Sequence, residues 1–341
     1  MRVFHSPSSA LHDPPTFFRR GKLIPAPENA ARYHALRQAA DGAGHELIEA
    51  SDAGIAPIAA VHDDAYLRFL QTAWSRRAEL DANAEELLTT QFARVQMHRR
   101  SEGLINQLGF HTADTSTPIR ADTWAAIYGT AQAAIAAADA ALTHGVAYAL
   151  CRPPGHHAFA DCAGGFCYLN NSAIAAQRLR DATGGRVAII DVDVHHGNGT
   201  QGIFCARADV LTVSIHADTT NYFPLFAGYA DETGEGAGEG FNLNMPLAHG
   251  AGDAEVLAAL DKALNRVAGF SPAAIVVALG FDAAAEDPLG VFNVTTPGFA
   301  QIARRIAGLK LPSVLVQEGG YLCASLPANL QAFLETFEAA R

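Results

Sequence analysis

Short apolar runs alternate with amphipathic helical patterns along the chain from about residue 146 onward. Runs such as 187–190 and 274–278 are apolar at every position, which is typical of strands that helices cover on both faces. The pattern therefore predicts an α/β protein with a largely parallel sheet. The predicted strands are 146–150, 186–190, 210–215, 273–279 and 313–317, and the predicted helices between them are 171–180, 254–267 and 297–307.

The N-terminal part adds a strand at 2–4 and helices at 28–42, 64–77 and 122–143, the last with Asp122 as its N-cap and Gly145 as its end. Two segments differ from this pattern. Residues 79–121 contain no clear strand, and residues 219–240 are rich in glycine and acidic side chains. Because so long a connection is uncommon unless it has a function, we expect an insert at 79–121 and a surface loop at 219–240, within a single domain over 1–341.

The charge of the chain limits its partners. Thirty-five acidic against 24 basic residues give a formal net charge of −11, which would repel a phosphate backbone and attract a cationic substrate. The longest apolar stretch contains Asp139 and lacks the bulk of a membrane span, and the first residues include no long apolar segment. We therefore expect a cytoplasmic protein that contacts neither nucleic acid nor membrane.

Polar residues with metal-binding and acid–base chemistry follow four of the predicted strands directly. Because ligands of open parallel sheets bind outside the carboxyl ends of the strands, these four loops should meet. Asp193 and His195 are two apart on an extended segment and project to one side, and Asp191 continues this alternation. Asp282 follows another strand. Two carboxylates and one imidazole form a three-ligand site with an open position, as catalytic zinc requires.

Five motifs resemble those of the zinc-dependent histone deacetylase family, and they occur in the family's order over residues 146–325. The branch that the chain resembles most is the bacterial acetylpolyamine amidohydrolases, because residues 21–27, 66–74 and 228–238 are also similar. The five motifs are RPPGHH at 152–157, GGFCYLNN at 164–171, DVDVHHGNGTQ at 191–201, LGFDAAAEDP at 279–288 and EGGY at 318–321. The resemblance implies the arginase-deacetylase fold, an eight-stranded parallel sheet with helices on both faces.

The resemblance also implies roles for individual residues. Asp193, His195 and Asp282 become the ligands of one Zn²⁺, with Fe²⁺ as a possible metal in the cell. His156 and His157 become the tandem histidines, and we expect His157 to transfer protons while His156 supplies charge and orientation. The further assignments are Asp191 as the partner of His156, Asn198 as the partner of His157, and Tyr321 as the donor to the oxyanion.

The family also has a narrow substrate tunnel and a potassium site beside the zinc. Phe166 and Phe223 match the aromatic pair that walls the tunnel, and Gly165 would leave room for the scissile amide. The residues that match the structural K⁺ site are Asp191, Asp193, His195, Ser214 and Ile215.

The insert at 79–121 occupies the place where the polyamine branch builds a dimer interface that narrows the tunnel entrance. We therefore expect a homodimer that acts on small acetylated amines, with Glu102 and Asp114 as candidate contacts to the substrate. Three alternatives remain. They are a deacetylase of acetyl-lysine in proteins or peptides, a ureohydrolase with two manganese ions, and a non-catalytic binding protein on the same scaffold.

Overall fold

The computed structural model describes residues 1–341 and contains an eight-stranded sheet and a separate two-stranded hairpin. In chain order the strands are β1 (Arg2–His5), β2 (Thr16–Arg19), β3 (Lys22–Pro25), β4 (Glu46–Glu49), β5 (Val146–Ala149), β6 (Val187–Asp191), β7 (Val210–Ala217), β8 (Asn242–Leu247), β9 (Ala274–Leu279) and β10 (Ser313–Gln317). The large sheet has the order β4-β1-β5-β10-β9-β6-β7-β8, and all its neighbouring strands are parallel. This confirms the predicted eight-stranded parallel sheet.

Ten α-helices accompany the strands. They are α1 (Ala30–Gly42), α2 (Ala56–Ala59), α3 (Asp64–Thr72), α4 (Leu104–His111), α5 (Thr123–His144), α6 (Asn171–Thr183), α7 (Asn198–Phe204), α8 (Asp253–Phe270), α9 (Thr296–Ala307) and α10 (Leu326–Ala339). Short 3₁₀ segments lie at Pro7–Ala10, Trp74–Glu79, Thr219–Asn221 and Gly236–Gly238.

Two apolar layers form because successive strand residues point to opposite faces of the sheet. In β6, Ala188 and Ile190 belong to a cluster that includes residues of α1, α8, α9 and α10. Val187 and Ile189 belong to a second cluster with residues of α3, α5 and α6. The continuous apolar run in this strand is therefore explained by helices on both faces.

The two edge strands and the hairpin were not among the predicted strands. β4 and β8 each pair along one side only, and their residues are exposed or half-buried at several positions, so neither sequence forms a continuous apolar run. Pro246 fits β8 because an edge strand has an unpaired side that needs no N–H donor. β2 and β3 pair outside the large sheet, and Phe17 packs edge-on against Phe166 with ring centroids 5.0 Å apart.

Three helix predictions need correction at their ends. The predicted helix at 64–77 ends at Thr72 and continues as a 3₁₀ segment. The predicted helix at 28–42 begins at Ala30, since the side chain of Asn29 accepts the capping bond from Arg32 N. Asp122 lies at the N-cap position of α5, but its side chain makes no capping bond, whereas Gly145 ends that helix with φ +87°.

The insert and the second loop are more structured than their sequences indicate. Residues 79–121 contain α4, and a single antiparallel bridge joins Leu87 to Ile119 across the segment. In the 219–240 loop, Thr219, Tyr222 and Gly238 are buried, so part of it packs on the protein rather than lying free on the surface. No helix of the structure combines the length and apolar character that crossing a membrane requires.

Candidate active site

The loops after β5, β6, β9 and β10 meet at the carboxyl ends of these central strands and bring the predicted metal ligands together. Potential ligand atoms of Asp193, His195 and Asp282 all lie within 4.8 Å of one another. His195 Nδ1 lies 3.1 Å from Asp193 Oδ1 and 3.1 Å from Asp282 Oδ2. Both carboxylates are fully buried, and His195 is 8% exposed. The main chain holds the carboxylates, because Gly319 N donates to Asp193 Oδ2 at 2.8 Å and Val194 N donates to Asp282 Oδ1 at 3.1 Å.

Electrostatics at these three residues fit a bound cation. Burial and, as the second cause, the neighbouring Asp193 carboxylate together raise the pKa of Asp282 to about 7. Burial alone would lower the pKa of His195, but its hydrogen bonds to Asp193 and Asp282 raise it to about 9. Both shifts arise because two buried carboxylates lie close together beside one imidazole, an arrangement that a bound divalent ion would stabilise.

The tandem histidines have different partners and therefore different charges. His156 Nδ1 lies 2.9 Å from Asp191 Oδ2, and His157 Nδ1 lies 2.7 Å from Asn198 Oδ1. Burial would lower the pKa of His156, but the carboxylate of Asp191, followed by that of Asp193, raises it to about 10. Burial and the positive charge of His156 hold the pKa of His157 well below its usual range. These shifts favour the cationic form of His156 and the neutral form of His157 at pH 7.

A cavity of about 330 Å³ leads from the surface to these groups. His157, His195 and Tyr321 line it, together with Phe166 and Phe223. The ring of Phe223 is perpendicular to that of His157 at a centroid distance of 4.8 Å. The cavity therefore has apolar ring walls near its polar groups.

Gly165 and Gly319 allow close contacts at this site. At Gly165, with φ +54°, a Cβ atom would collide with the rings of His157 and Phe223. Gly165 also lines the cavity, and the lack of a side chain there lets these two rings lie close to its main chain. At Gly319 a Cβ atom would collide with the carboxylates of Asp282 and Asp193, so the turn before Tyr321 is closely packed against the candidate metal ligands.

The predicted potassium residues lie at the end of β6 (Asp191), in the loop after it (Asp193 and His195) and in the adjacent β7 (Ser214 and Ile215), and the two candidate substrate contacts are separated from each other. Asp191 and Ser214 are register partners in the parallel pair of β6 and β7. Asp114 lines the cavity, and its Oδ2 accepts a hydrogen bond from Gly165 N at 3.0 Å. Glu102 lies outside that cavity, where its main-chain carbonyl accepts from Arg76.

Several residues at the site were not expected from the sequence. Tyr222 stacks on His195 with ring centroids 4.8 Å apart and an interplanar angle of 9°. Asp287 Oδ2 accepts from Tyr321 N at 2.7 Å, and the buried Arg32 donates to the carbonyls of Glu318 and Gly320. Two sequence signals were available, because Asp287 lies in the motif at 279–288 and Glu318 opens the motif at 318–321. The other contacts join distant parts of the chain and leave no local pattern.

The chain belongs to the histone deacetylase family, whose histone deacetylase domain matches residues 26–337. It is 48% identical over its full length to the full-length acetylpolyamine amidohydrolase of Burkholderia pseudomallei. It is 44% identical to acetylpolyamine amidohydrolase 1 of Pseudomonas aeruginosa, with 100% of this chain and 99% of that protein covered. The enzyme of Mycoplana ramosa with the same name is 39% identical over 98% of this chain and 99% of its own.

Solved structures agree with this assignment. The crystal structure of acetylpolyamine aminohydrolase from Burkholderia pseudomallei superposes with a TM-score of 0.96 at 46% identity, covering 100% of this chain and 99% of that chain. The HDA15 HD domain superposes with a TM-score of 0.82 at 28% identity, covering 99% of this chain and 91% of that chain. The eight-stranded parallel sheet is consistent with the arginase-deacetylase fold.

Proposed function

We propose that this protein is a metal-dependent amidohydrolase that removes acetyl groups from acetylpolyamines. The observation that carries the proposal is the convergence of a three-ligand metal site, a neutral His157 and Tyr321 at one apolar cavity. The names of the full-length relatives support acetylpolyamines as the substrate class. The single three-ligand group fits this chemistry better than the two-manganese cluster of a ureohydrolase.

We propose Zn²⁺ as the native ion, one per chain, held by Asp193, His195 and Asp282. When bound, zinc would polarise the amide carbonyl and lower the pKa of a water molecule in this site. Carboxylate oxygen and imidazole nitrogen also suit Fe²⁺, which is the alternative for the metal loaded in the cell.

His157 is the proton-transfer group in this proposal. Its Nδ1–H donates to Asn198 Oδ1, which leaves the lone pair of Nε2 free to accept a proton from the attacking water. The lowered pKa keeps the ring neutral before the reaction, and protonated His157 then supplies the proton to the leaving amine. His156 stays cationic on Asp191 and supplies positive charge beside the developing oxyanion.

Tyr321 is the proposed hydrogen-bond donor to the oxyanion. Burial raises the pKa of its phenol well above the usual value, so the hydroxyl stays protonated at neutral pH. Its turn is fixed by Asp287 at the Tyr321 N–H and by Arg32 at the carbonyls on either side of Gly319. A donor that is already in place when negative charge develops stabilises the transition state more than it stabilises the substrate.

The walls of the cavity support a linear acetylated amine. Phe166 and Phe223 present ring surfaces that accept a methylene chain, and aromatic faces also tolerate an ammonium group nearby. The net charge of −11 favours cations in general.

We also propose a structural K⁺ ion at the junction of β6 and β7. Its ligands would be main-chain atoms around Asp191, Asp193 and His195, with Ser214 and Ile215. The register pair of Asp191 with Ser214 supports this position, because it brings the end of β6 beside β7 near the carboxyl ends of the strands.

We propose that residues 1–341 act as one catalytic domain whose insert at 79–121 pairs two chains and shapes the tunnel entrance. Three apolar side chains of the insert are largely exposed, namely Val95 at 84%, Met97 at 70% and Ile105 at 52%. Burying these side chains against a second copy would remove apolar surface from water, and closed two-fold pairs are the commonest oligomers.

A substrate panel tests the proposed function. The parent enzyme would be assayed on acetylputrescine, acetylcadaverine, acetylspermidine and an acetyl-lysine peptide, with Tyr321→Phe as the control for contaminating activity. We expect the highest kcat/KM on an acetylated diamine. A preference for the peptide would shift the function to protein deacetylation, and no hydrolysis of any member would overturn the proposal.

A further inference from the structure

Glu318 has a buried carboxylate that contacts the loop of the tandem histidines. Its Oε2 accepts hydrogen bonds from Gly155 N at 2.6 Å and from His156 N at 2.9 Å. Its Oε1 accepts from the hydroxyl of Ser172, at the start of α6, at 2.6 Å. The residue is fully buried, so these bonds are shielded from water.

The main chain of Glu318 leads directly into the Tyr321 turn. Glu318 N donates to Leu279 O at 2.9 Å, which extends the pairing of β10 with β9, and its carbonyl accepts from Arg32. Tyr321 follows three residues later. One residue therefore joins the two loops that carry His156 and Tyr321.

A carboxylate at this buried position carries a large desolvation cost. All three donors to it are neutral groups, and burying a charge costs more free energy than burying an apolar side chain of similar size. A leucine would fill the space but would leave two adjacent N–H groups of the histidine loop without an acceptor. The carboxylate thus supplies the hydrogen-bond acceptor for these two N–H groups, which an apolar side chain of the same size would lack.

We propose that Glu318 is a positioning residue that fixes the His156–His157 loop relative to Tyr321, an inference that rests on the proposed amide hydrolysis. Its Oε2 holds two successive N–H groups of that loop, so it limits both translation and rotation of the segment. His157 must reach the attacking water while Tyr321 reaches the oxyanion. A displacement of about 1 Å between such groups can cost ~10²-fold in rate.

Two substitutions at Glu318 distinguish the effect of its acceptor oxygen from the effect of its negative charge. Glu318→Gln keeps an acceptor oxygen for the two N–H groups and can donate its amide to Ser172 Oγ. Glu318→Leu has similar size but no acceptor. We expect kcat to fall ~10²-fold in Glu318→Leu and only about threefold in Glu318→Gln, with KM and metal content close to the parent values in both. Equal losses in the two variants, an unchanged kcat in Glu318→Leu, or a loss explained by KM or metal content would each overturn the inference.

Two further measurements keep the inference falsifiable if Glu318→Leu does not fold. Ser172→Ala removes one of the three hydrogen bonds to the carboxylate and should lower kcat about 2–10-fold at constant KM. Amide hydrogen exchange in residues 155–158 should become faster in Ser172→Ala and stay near the parent rate in Glu318→Gln. Unchanged kcat and exchange in Ser172→Ala would contradict the inference. A parent enzyme without any deacetylase activity would instead overturn the proposed function, and hydrogen exchange would still test Glu318.

Discussion

The floor and the mouth of the cavity are built from different kinds of structure. The floor consists of His157, His195 and Tyr321, which follow central strands of the sheet and are buried. The mouth consists of residues 17–20 at the end of β2 in the hairpin and the segments 114–116 and 221–225, all outside the large sheet. The floor residues are held by hydrogen bonds to the Asn198 amide and to buried carboxylates, whereas several mouth side chains are exposed.

This difference indicates that the floor of the cavity carries out the chemistry and that the mouth selects the substrate. A proton-transfer group or an oxyanion donor needs a fixed position. The ends of strands that are packed between two layers of helices provide such positions. A substrate entrance can vary in loops without disturbing that position. Changes at the floor should therefore lower kcat strongly, and changes at the mouth should alter KM or selectivity.

The largest effect of a single substitution is expected at His157. His157→Ala should lower kcat by ~10²–10⁴-fold, because no other neutral imidazole lines the floor to transfer the proton. Steady-state kinetics on acetylputrescine measures this loss. The matched control is His144→Ala, an exposed histidine at the end of α5, which should retain the parent rate. A His157→Ala enzyme that works near the parent rate would remove His157 from the mechanism.

Tyr321→Phe should lower kcat by ~10²–10³-fold while fold and metal content stay unchanged, since it deletes one oxyanion donor and keeps the ring. The same kinetic assay, combined with metal analysis, measures the effect. Tyr229→Phe, at a tyrosine that is 44% exposed, is the control and should have no effect. Loss of metal in Tyr321→Phe would assign the tyrosine a structural role instead.

Shortening the insert at 79–121 should affect association and selectivity more than chemistry. We expect monomers that keep Asp193, His195 and Asp282 but discriminate about tenfold less between acetylputrescine and an acetyl-lysine peptide, a change of about 1.4 kcal/mol. Light scattering at micromolar concentration and kinetics on both substrates check the two parts. An intact protein that is monomeric at that concentration would contradict the proposed role of the insert.

The smallest effect is expected at Phe17 in the hairpin. Phe17→Ala removes the edge-on contact with Phe166, and such aromatic pairs contribute about 0.5–1.5 kcal/mol. We expect KM to rise about 2–10-fold while kcat stays constant. Leu23→Ala on the neighbouring strand, at a side chain that is 70% exposed, is the control. A large fall in kcat for Phe17→Ala would show that mouth and floor are not separable.

The same contrast explains what the sequence could predict. Central strands such as β6 and β9 are recognisable because both faces are buried, and the polar residues that follow them, including Asp193 and Asp282, identify the site. β4, β8 and the hairpin lack that signal, since much of their surface faces solvent. The role of Glu318 also could not be predicted, because it depends on contact with a loop more than 160 residues away.

Metal stoichiometry combined with activity tests the central claim most directly. The purified protein would be analysed for metals and assayed on acetylputrescine, before and after treatment with a chelator and after Zn²⁺ is added back. We expect one divalent ion per chain, loss of activity with the ion, and recovery with one equivalent of Zn²⁺. Two tightly bound ions per chain, or full activity in the metal-free protein, would contradict a single-metal amidohydrolase.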